Sequence, residues 1–300
     1  MPPIPKIADI DATFNSWAKS PSTTEQEKCD NSVRAVKQAV VSFEGFNDKD
    51  VSVFAQGSFR DRTNISSESD VDVGVLCTDT FYYDLPEGTT KEDFEISAAG
   101  YEHPQYKDDL HQALNDHFGE SAVVRGNKAF DVHENSYRID ADVVPHFEYR
   151  LYDKYGSYRT GTAFLTDDGN RIVNWPEQNY SNGVTKNDET KGSFKAVTRI
   201  IKNLRVKMEE DGIAAAKPIP SYLIECLVWN VPNPGLMHDT YKEDVRYALA
   251  HLFNDTREFE SCKEWGEVNE IKYLFRDSQP WRRVQANAFL DAAWNYLGFE

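Results

Sequence analysis

Apolar positions along the chain follow two regimes. From residue 8 to 45 they keep helical spacing, with Val33, Val36, Val40 and Phe43 on one face, a break at Pro21 and Thr24 placed to cap the second part. Val51 to Ala55 reads as a short strand, Gly57-Ser58 as a turn, and Val71 to Leu76, where Asp72 alternates with apolar neighbours, as a second strand. Residues 91–119 predict a helical region broken at His103-Pro104. Val123 to Arg125 and Lys128 to Val132 flank Gly126-Asn127 and predict a hairpin. Tyr137 to Val144 predicts a strand ended by Pro145, and Phe147 to Tyr152 with Thr160 to Leu165 one more hairpin. After Trp175-Pro176 the spacing turns helical, over Phe194 to Met208, Tyr222 to Asn230, Lys242 to Phe259 and Pro280 to Leu297. The pattern predicts an α+β chain with a mixed-sheet lobe at 1–165, carrying the N-terminal helix, and a helical lobe at 166–300.

Composition narrows the class. A chain of 300 residues, 40% of them hydrophobic, has material for two lobes. No apolar run of about 18 residues exists, and Met1-Pro2-Pro3-Ile4-Pro5-Lys6 lacks a signal-peptide core, so a cytoplasmic protein without membrane contact is expected. Cys29, Cys77, Cys226 and Cys262 show no CxxC spacing and read as free thiols. Acidic residues outnumber basic ones by 50 to 33, giving a net charge of −17. Phosphate-backbone binding needs a basic excess, so DNA or RNA polymers are poor partners. An acidic chain still binds a nucleotide when a divalent ion screens the phosphates.

The candidate chemistry lies in the first lobe. In Gln56-Gly57-Ser58 the glycine admits close backbone approach to a phosphate and the serine adds a hydroxyl donor. Asp70 and Asp72 stand two apart on a strand and so share a face. Two carboxylates about 4 Å apart repel by roughly 4 kcal/mol at an effective dielectric of about 20, and a cation relieves this. Carboxylate and phosphate oxygens suit Mg²⁺, with Mn²⁺ as the alternative, and a two-ion site would activate a hydroxyl and stabilise leaving pyrophosphate. Asp140 and Asp142 repeat the spacing before Val143-Val144-Pro145 and supply a second acidic strand. None of the seven histidines has HExxH spacing. His103, His111 and His117 are expected at the surface, and His146 is weighed as a lining residue. Arg60 and Arg62 are expected to pair with Asp61 or Glu68, with phosphate contact as the rival reading. No nucleophile elbow or Walker loop is present.

The run Gln56-Gly57-Ser58, then Asp70-Val71-Asp72, then Asp142-Val143-Val144-Pro145 resembles the DNA polymerase β-like nucleotidyltransferases. Within them it is most similar to the bacterial cGAS/DncV-like enzymes. Trp175-Pro176-Glu177-Gln178, Asn182-Gly183 and Phe194 to Lys202 look like the linker and helix of the CdnE clade. The resemblance implies Asp70, Asp72 and Asp142 as metal ligands, with Asp142 rather than Asp140 as the third. It implies Gln56, Gly57 and Ser58 on the donor nucleotide and an active site between the lobes. On the helix, Lys195, Arg199 and Lys202 stand at i, i+4 and i+7, and the resemblance implies that Lys195 or Lys202 meets the triphosphate. Ser221 would touch the triphosphate and Tyr222 would stack on the base; their alternative is a helix cap and core packing. The implied reaction makes a cyclic di- or trinucleotide from NTPs, ATP with UTP or another NTP, in anti-phage signalling. A nucleotide-gated effector would act downstream of a monomeric enzyme. Two other readings stand beside it: a toxin-like transferase that modifies a protein, RNA or small molecule, and an inactive nucleotide sensor.

Overall fold

A computed structural model describes residues 7–66 and 70–299. Its contacts divide into two units. One contains 22–60 and 70–177, the other 7–21, 61–66 and 178–299. The division falls after Glu177 rather than near 165, and the first helix belongs with the later helices. The reason is packing: Phe14 is fully buried in the same apolar cluster as Phe194, Ile200 and Leu249.

The N-terminal helical stretch forms two helices, α1 (Ile10–Trp17) and α2 (Thr23–Ser42). Ser22, not Thr24, caps α2. Its hydroxyl accepts from the Glu25 amide at 3.3 Å while the Glu25 carboxylate accepts from the Ser22 amide at 2.7 Å. The Ser-x-x-Glu spacing satisfies two end donors at once, which Thr24, inside the first turn, cannot do.

The first unit is a seven-stranded mixed sheet. Its first strand β1 (Val51–Ala55) leads through the short helix α3 (Gly57–Asp61) to the long strand β2 (Val71–Asp84). Helix α4 (His103–Phe118) follows, then β3 (Val123–Arg125), β4 (Phe130–Val132), β5 (Ala141–Tyr152), β6 (Tyr158–Leu165) and β7 (Arg171–Asn174). The order is β1-β2-β5-β4-β3, with β6 on β5 and β7 on β6. Strands β2 and β5 are parallel. Val71, Val73, Val75 and Cys77 point to one face, fully buried in a cluster with Val36 and Val40 of α2 and Tyr106, Leu110 and Leu114 of α4. Each such side chain contributes about 1.5–3 kcal/mol of transfer free energy. The alternate positions, Asp72 among them, face the other way.

Two proline expectations change. His103-Pro104 opens α4 rather than breaking a helix, because proline at the first turn forfeits no internal hydrogen bond. Pro145 lies inside β5. The β4 pairing ends at Val143 and the β6 pairing begins at Phe147, so the missing N–H falls in a gap between partners.

The second unit is helical: α5 (Pro176–Glu189), α6 (Ser193–Glu210), α7 (Ser221–Trp229), α8 (Tyr241–Thr256), α9 (Phe259–Cys262) and α10 (Arg283–Leu297). The stretch likened to a linker is thus helix α5, with Pro176 as its first residue. Phe194, Val197, Ile201, Leu204 and Met208 give α6 a continuous apolar stripe against Leu223, Leu227, Val245 and Leu290. All four cysteines are buried free thiols. Among the described residues no helix is long and apolar enough to cross a membrane.

Candidate active site

Strand register assembles the aspartates. Asp72 of β2 lies directly beside Asp142 of β5, and Asp142 lies opposite Asp131 of β4. Neighbours at one register position project to the same side, so three carboxylates form a row across three strands. The Val71 amide donates to the Asp140 carbonyl at 3.1 Å, which sets the two Asp-x-Asp pairs level. Asp131 was not legible in the sequence, because only the sheet order brings it to this row.

Gly57 fits against the row. Its φ is +64°, and a Cβ there would stand 2.1 Å from Asp72 Oδ2. The Gln56 amide donates to the Asp72 carbonyl at 2.9 Å, which locks the turn to the acidic strand. The expected Gly-Ser turn is thus the start of α3, with Ser58 its second residue.

The electrostatics favour a cation. Burial, then the charges of Asp70, Asp131 and Asp140, raise the Asp142 carboxyl above its ordinary value. A hard divalent ion relieves such crowding, and an all-oxygen donor set fits Mg²⁺ or Mn²⁺. A second group lies alongside: ligand atoms of Asp131, His133 and Asp140 are all within 4.8 Å of one another. Asp140 also accepts from the Glu134 amide, which gives that extra acid a structural role in shaping the turn before β5.

In the helical unit the three cations of α6 have diverged in use. They do not form a solvated face: Lys195, Arg199 and Lys202 are 9%, 7% and 1% exposed. Arg199 donates through Nε to the Ala18 carbonyl at 2.9 Å and through Nη1 to the Arg62 carbonyl at 2.6 Å. Lys202 faces Glu225 at 3.7 Å and Thr63 Oγ1 at 3.4 Å. The Lys195 ammonium forms no hydrogen bond or ion pair among the described residues, and burial lowers its pKa. Ser221 opens α7, and its Oγ accepts from Arg205 Nη2 at 3.3 Å. The Tyr222 hydroxyl donates to Glu267 at 3.0 Å and lies 3.2 Å from Asn179 Oδ1. Asn269 and Gln279 donate to the same Glu267 carboxylate at 2.6 and 2.7 Å. This buried network, in a segment without recognisable motif, was invisible in the sequence.

Other expectations change. His103 is buried, with its Nε2 3.0 Å from the Pro145 carbonyl. His146 is fully buried between the rings of Phe54 and Phe164, with neither ring nitrogen hydrogen-bonded. Arg60 pairs with Glu177 at 2.8 Å, a partner distant in sequence, and Glu68 lies outside the described residues.

Comparison with known proteins identifies the family. Residues 181–298 match the model for the cGAS/DncV-like nucleotidyltransferase C-terminal helical domain. The cyclic dipyrimidine nucleotide synthase CdnE of Cecembia lonarensis is 45% identical, over 95% of this chain and 97% of that protein. Its namesake from Legionella pneumophila is 46% identical, over 96% and 98%. The solved structure of the Rhodothermus marinus CdnE c-UMP-AMP synthase with Apcpp and Upnpp superposes with a TM-score of 0.84 at 28% identity, over 97% and 98%. The mixed sheet with its row of aspartates is the polymerase β-like fold, and the chain belongs to the cGAS/DncV-like nucleotidyltransferases, among their CdnE members.

Proposed function

We propose that this protein joins two nucleoside triphosphates into a cyclic dinucleotide, releasing one pyrophosphate at each bond. The observation that carries the reading is the registered Asp72–Asp142 pair with Gly57 closed against Asp72. In each step a ribose hydroxyl attacks an α-phosphorus, the new P–O bond forms, and the bond to pyrophosphate breaks. Asp142 takes the hydroxyl proton: a carboxylate whose proton affinity is raised by burial, and then by its acidic neighbours, suits a general base. Asp70, Asp72 and Asp142 would hold two Mg²⁺ or Mn²⁺ ions, which supply charge neutralisation for the phosphates when bound. Gln56, Gly57 and Ser58 offer the donor phosphates backbone N–H groups and a hydroxyl. Lys195, whose ammonium has no ion-pair partner among the described residues, takes the phosphate contact, whereas Lys202 faces Glu225. Ser221 and Tyr222 orient the donor nucleotide.

The two relatives near 45% identity are named for dipyrimidine products, which favours pyrimidine NTPs over the ATP-containing mixture expected from sequence. The product would act on a cyclic-nucleotide-gated effector. The enzyme would work as a cytoplasmic monomer, a state consistent with four reduced, buried thiols and checked by size-exclusion chromatography.

The test is incubation of the pure protein with all four NTPs and Mg²⁺, followed by mass spectrometry. A cyclic dipyrimidine product is expected, and Asp142→Asn should lower its rate by about 10²–10⁴-fold. Label transferred only to an added protein or RNA would favour the toxin-like reading. Silence of wild type and Asp72→Asn alike, in Mg²⁺ and in Mn²⁺, would favour an inactive sensor.

A further inference from the structure

The helical unit contains a cavity of about 250 Å³ in the segment that matches no motif. Phe259, Phe275 and Trp281 give it aromatic walls, and Arg276, Arg282 and Arg283 bring three guanidinium groups. Each guanidinium is anchored through Nη1 to a backbone carbonyl. Arg276 donates to Phe275 at 3.0 Å, Arg282 to Trp281 at 3.0 Å and also to Gln279, and Arg283 to Thr256. Arg276 is further braced over the rings of Tyr273 and Phe259, 4.0 and 5.6 Å from their centroids.

One carboxylate, Asp277, lines the pocket beside these three groups. None of the three guanidinium groups makes an ion pair within 4 Å among the described residues. Elsewhere in this chain of 50 acidic and 33 basic residues, Arg60 pairs with Glu177 and Arg171 with Asp84. The three Nη2 groups have no hydrogen-bond partner among the described residues. The fifteen-residue helix α10 begins at Arg283, so the positive end of its dipole adds to the same spot. Held planar donors beside flat apolar walls recognise a phosphate joined to a ring. A volume of about 250 Å³, just below the range of drug-sized sites, suits a small ligand of mononucleotide size.

We propose that this cavity binds a nucleoside monophosphate, with its phosphate on Arg276, Arg282 and Arg283 and its base against Phe259 and Trp281. The site is separate from the aspartate row and independent of the catalytic reading. The experiment is calorimetric titration of the full chain with UMP, AMP and inorganic phosphate in EDTA, where metal-dependent nucleotide binding is suppressed. One-to-one binding of a monophosphate is expected, weakened at least about tenfold by Arg276→Ala and by Arg282→Ala, and unaffected by Lys195→Ala. Should Arg276→Ala lower Tm, Arg276→Gln keeps a donor to the Phe275 carbonyl and removes the charge, so it carries the same test. Absence of saturable binding up to about 10 mM overturns the proposal. So does binding lost in Lys195→Ala but retained in Arg276→Ala, or inorganic phosphate binding as tightly as the nucleotides.

Discussion

Gly57 shows how one residue couples backbone and chemistry. Its positive φ costs an ordinary residue about 1–2 kcal/mol, and the space a methyl would need is taken by the Asp72 carboxylate. Gly57→Ala should therefore destabilise the fold modestly while lowering product formation at least about 10²-fold, since the carboxylate must move. Thermal melting and initial rates measure the two effects separately. His146 makes the opposite kind of residue-scale statement. Burial, with a smaller effect of His103, pushes its pKa from 6.5 down to about 3, so the folded state holds it neutral. A depressed pKa means stability that is full above pH 6.5 and lost as pH falls towards 3, by at most about 1.4 kcal/mol per unit. His146→Phe should flatten this acid limb in denaturant melts run between pH 4 and 7 (about three units), and should raise stability at neutral pH by about 1–3 kcal/mol, because two unsatisfied buried nitrogens are removed. An unchanged limb would assign the acid sensitivity to other groups.

Helix α6 is the element whose sequence reading changed most. Spacing placed Lys195, Arg199 and Lys202 on one face, and that much is correct. What each cation does depends on neighbours remote in sequence: Ala18 and Arg62 for Arg199, Thr63 and Glu225 for Lys202. Removing one member of a buried ion pair leaves the other charge stranded, so Lys202→Ala should cost about 3–5 kcal/mol in urea melts. Lys195→Ala should change stability by less than about 1 kcal/mol yet raise KM for the NTP. If the two variants exchange these signatures, the assignment of roles along α6 is wrong. Strand β5 shows a second limit of local pattern. Pro145 reads as a stop, but the tertiary gap between β4 and β6 tolerates it, and the strand runs on to Tyr152.

At the scale of the molecule, a net charge of −17 argues against a nucleic-acid activator. Product formation should stay within about twofold when duplex DNA is added to the pure enzyme at low salt, where phosphate contacts are strongest. Chelation by EDTA should abolish it, with recovery on adding Mg²⁺ or Mn²⁺. Metal binding should weaken as pH falls, because the raised pKa of Asp142 lets protons compete for the same oxygens. Calorimetric titration with Mn²⁺ at two pH values reads this directly.

Local sequence determined most strand and helix types and the two Asp-x-Asp pairs. Each of these depends on residues close together in the chain, where period and side-chain chemistry are sufficient information. Tertiary structure decided the rest. Register brought Asp131 beside Asp142, packing drew α1 into the helical unit, and burial set apart Lys195, Arg199 and Lys202. The Tyr222–Glu267 network and the arginine-lined cavity likewise join residues from separate segments. These features rest on contacts between remote parts of the chain, and spacing along a single sequence encodes no distance across the fold.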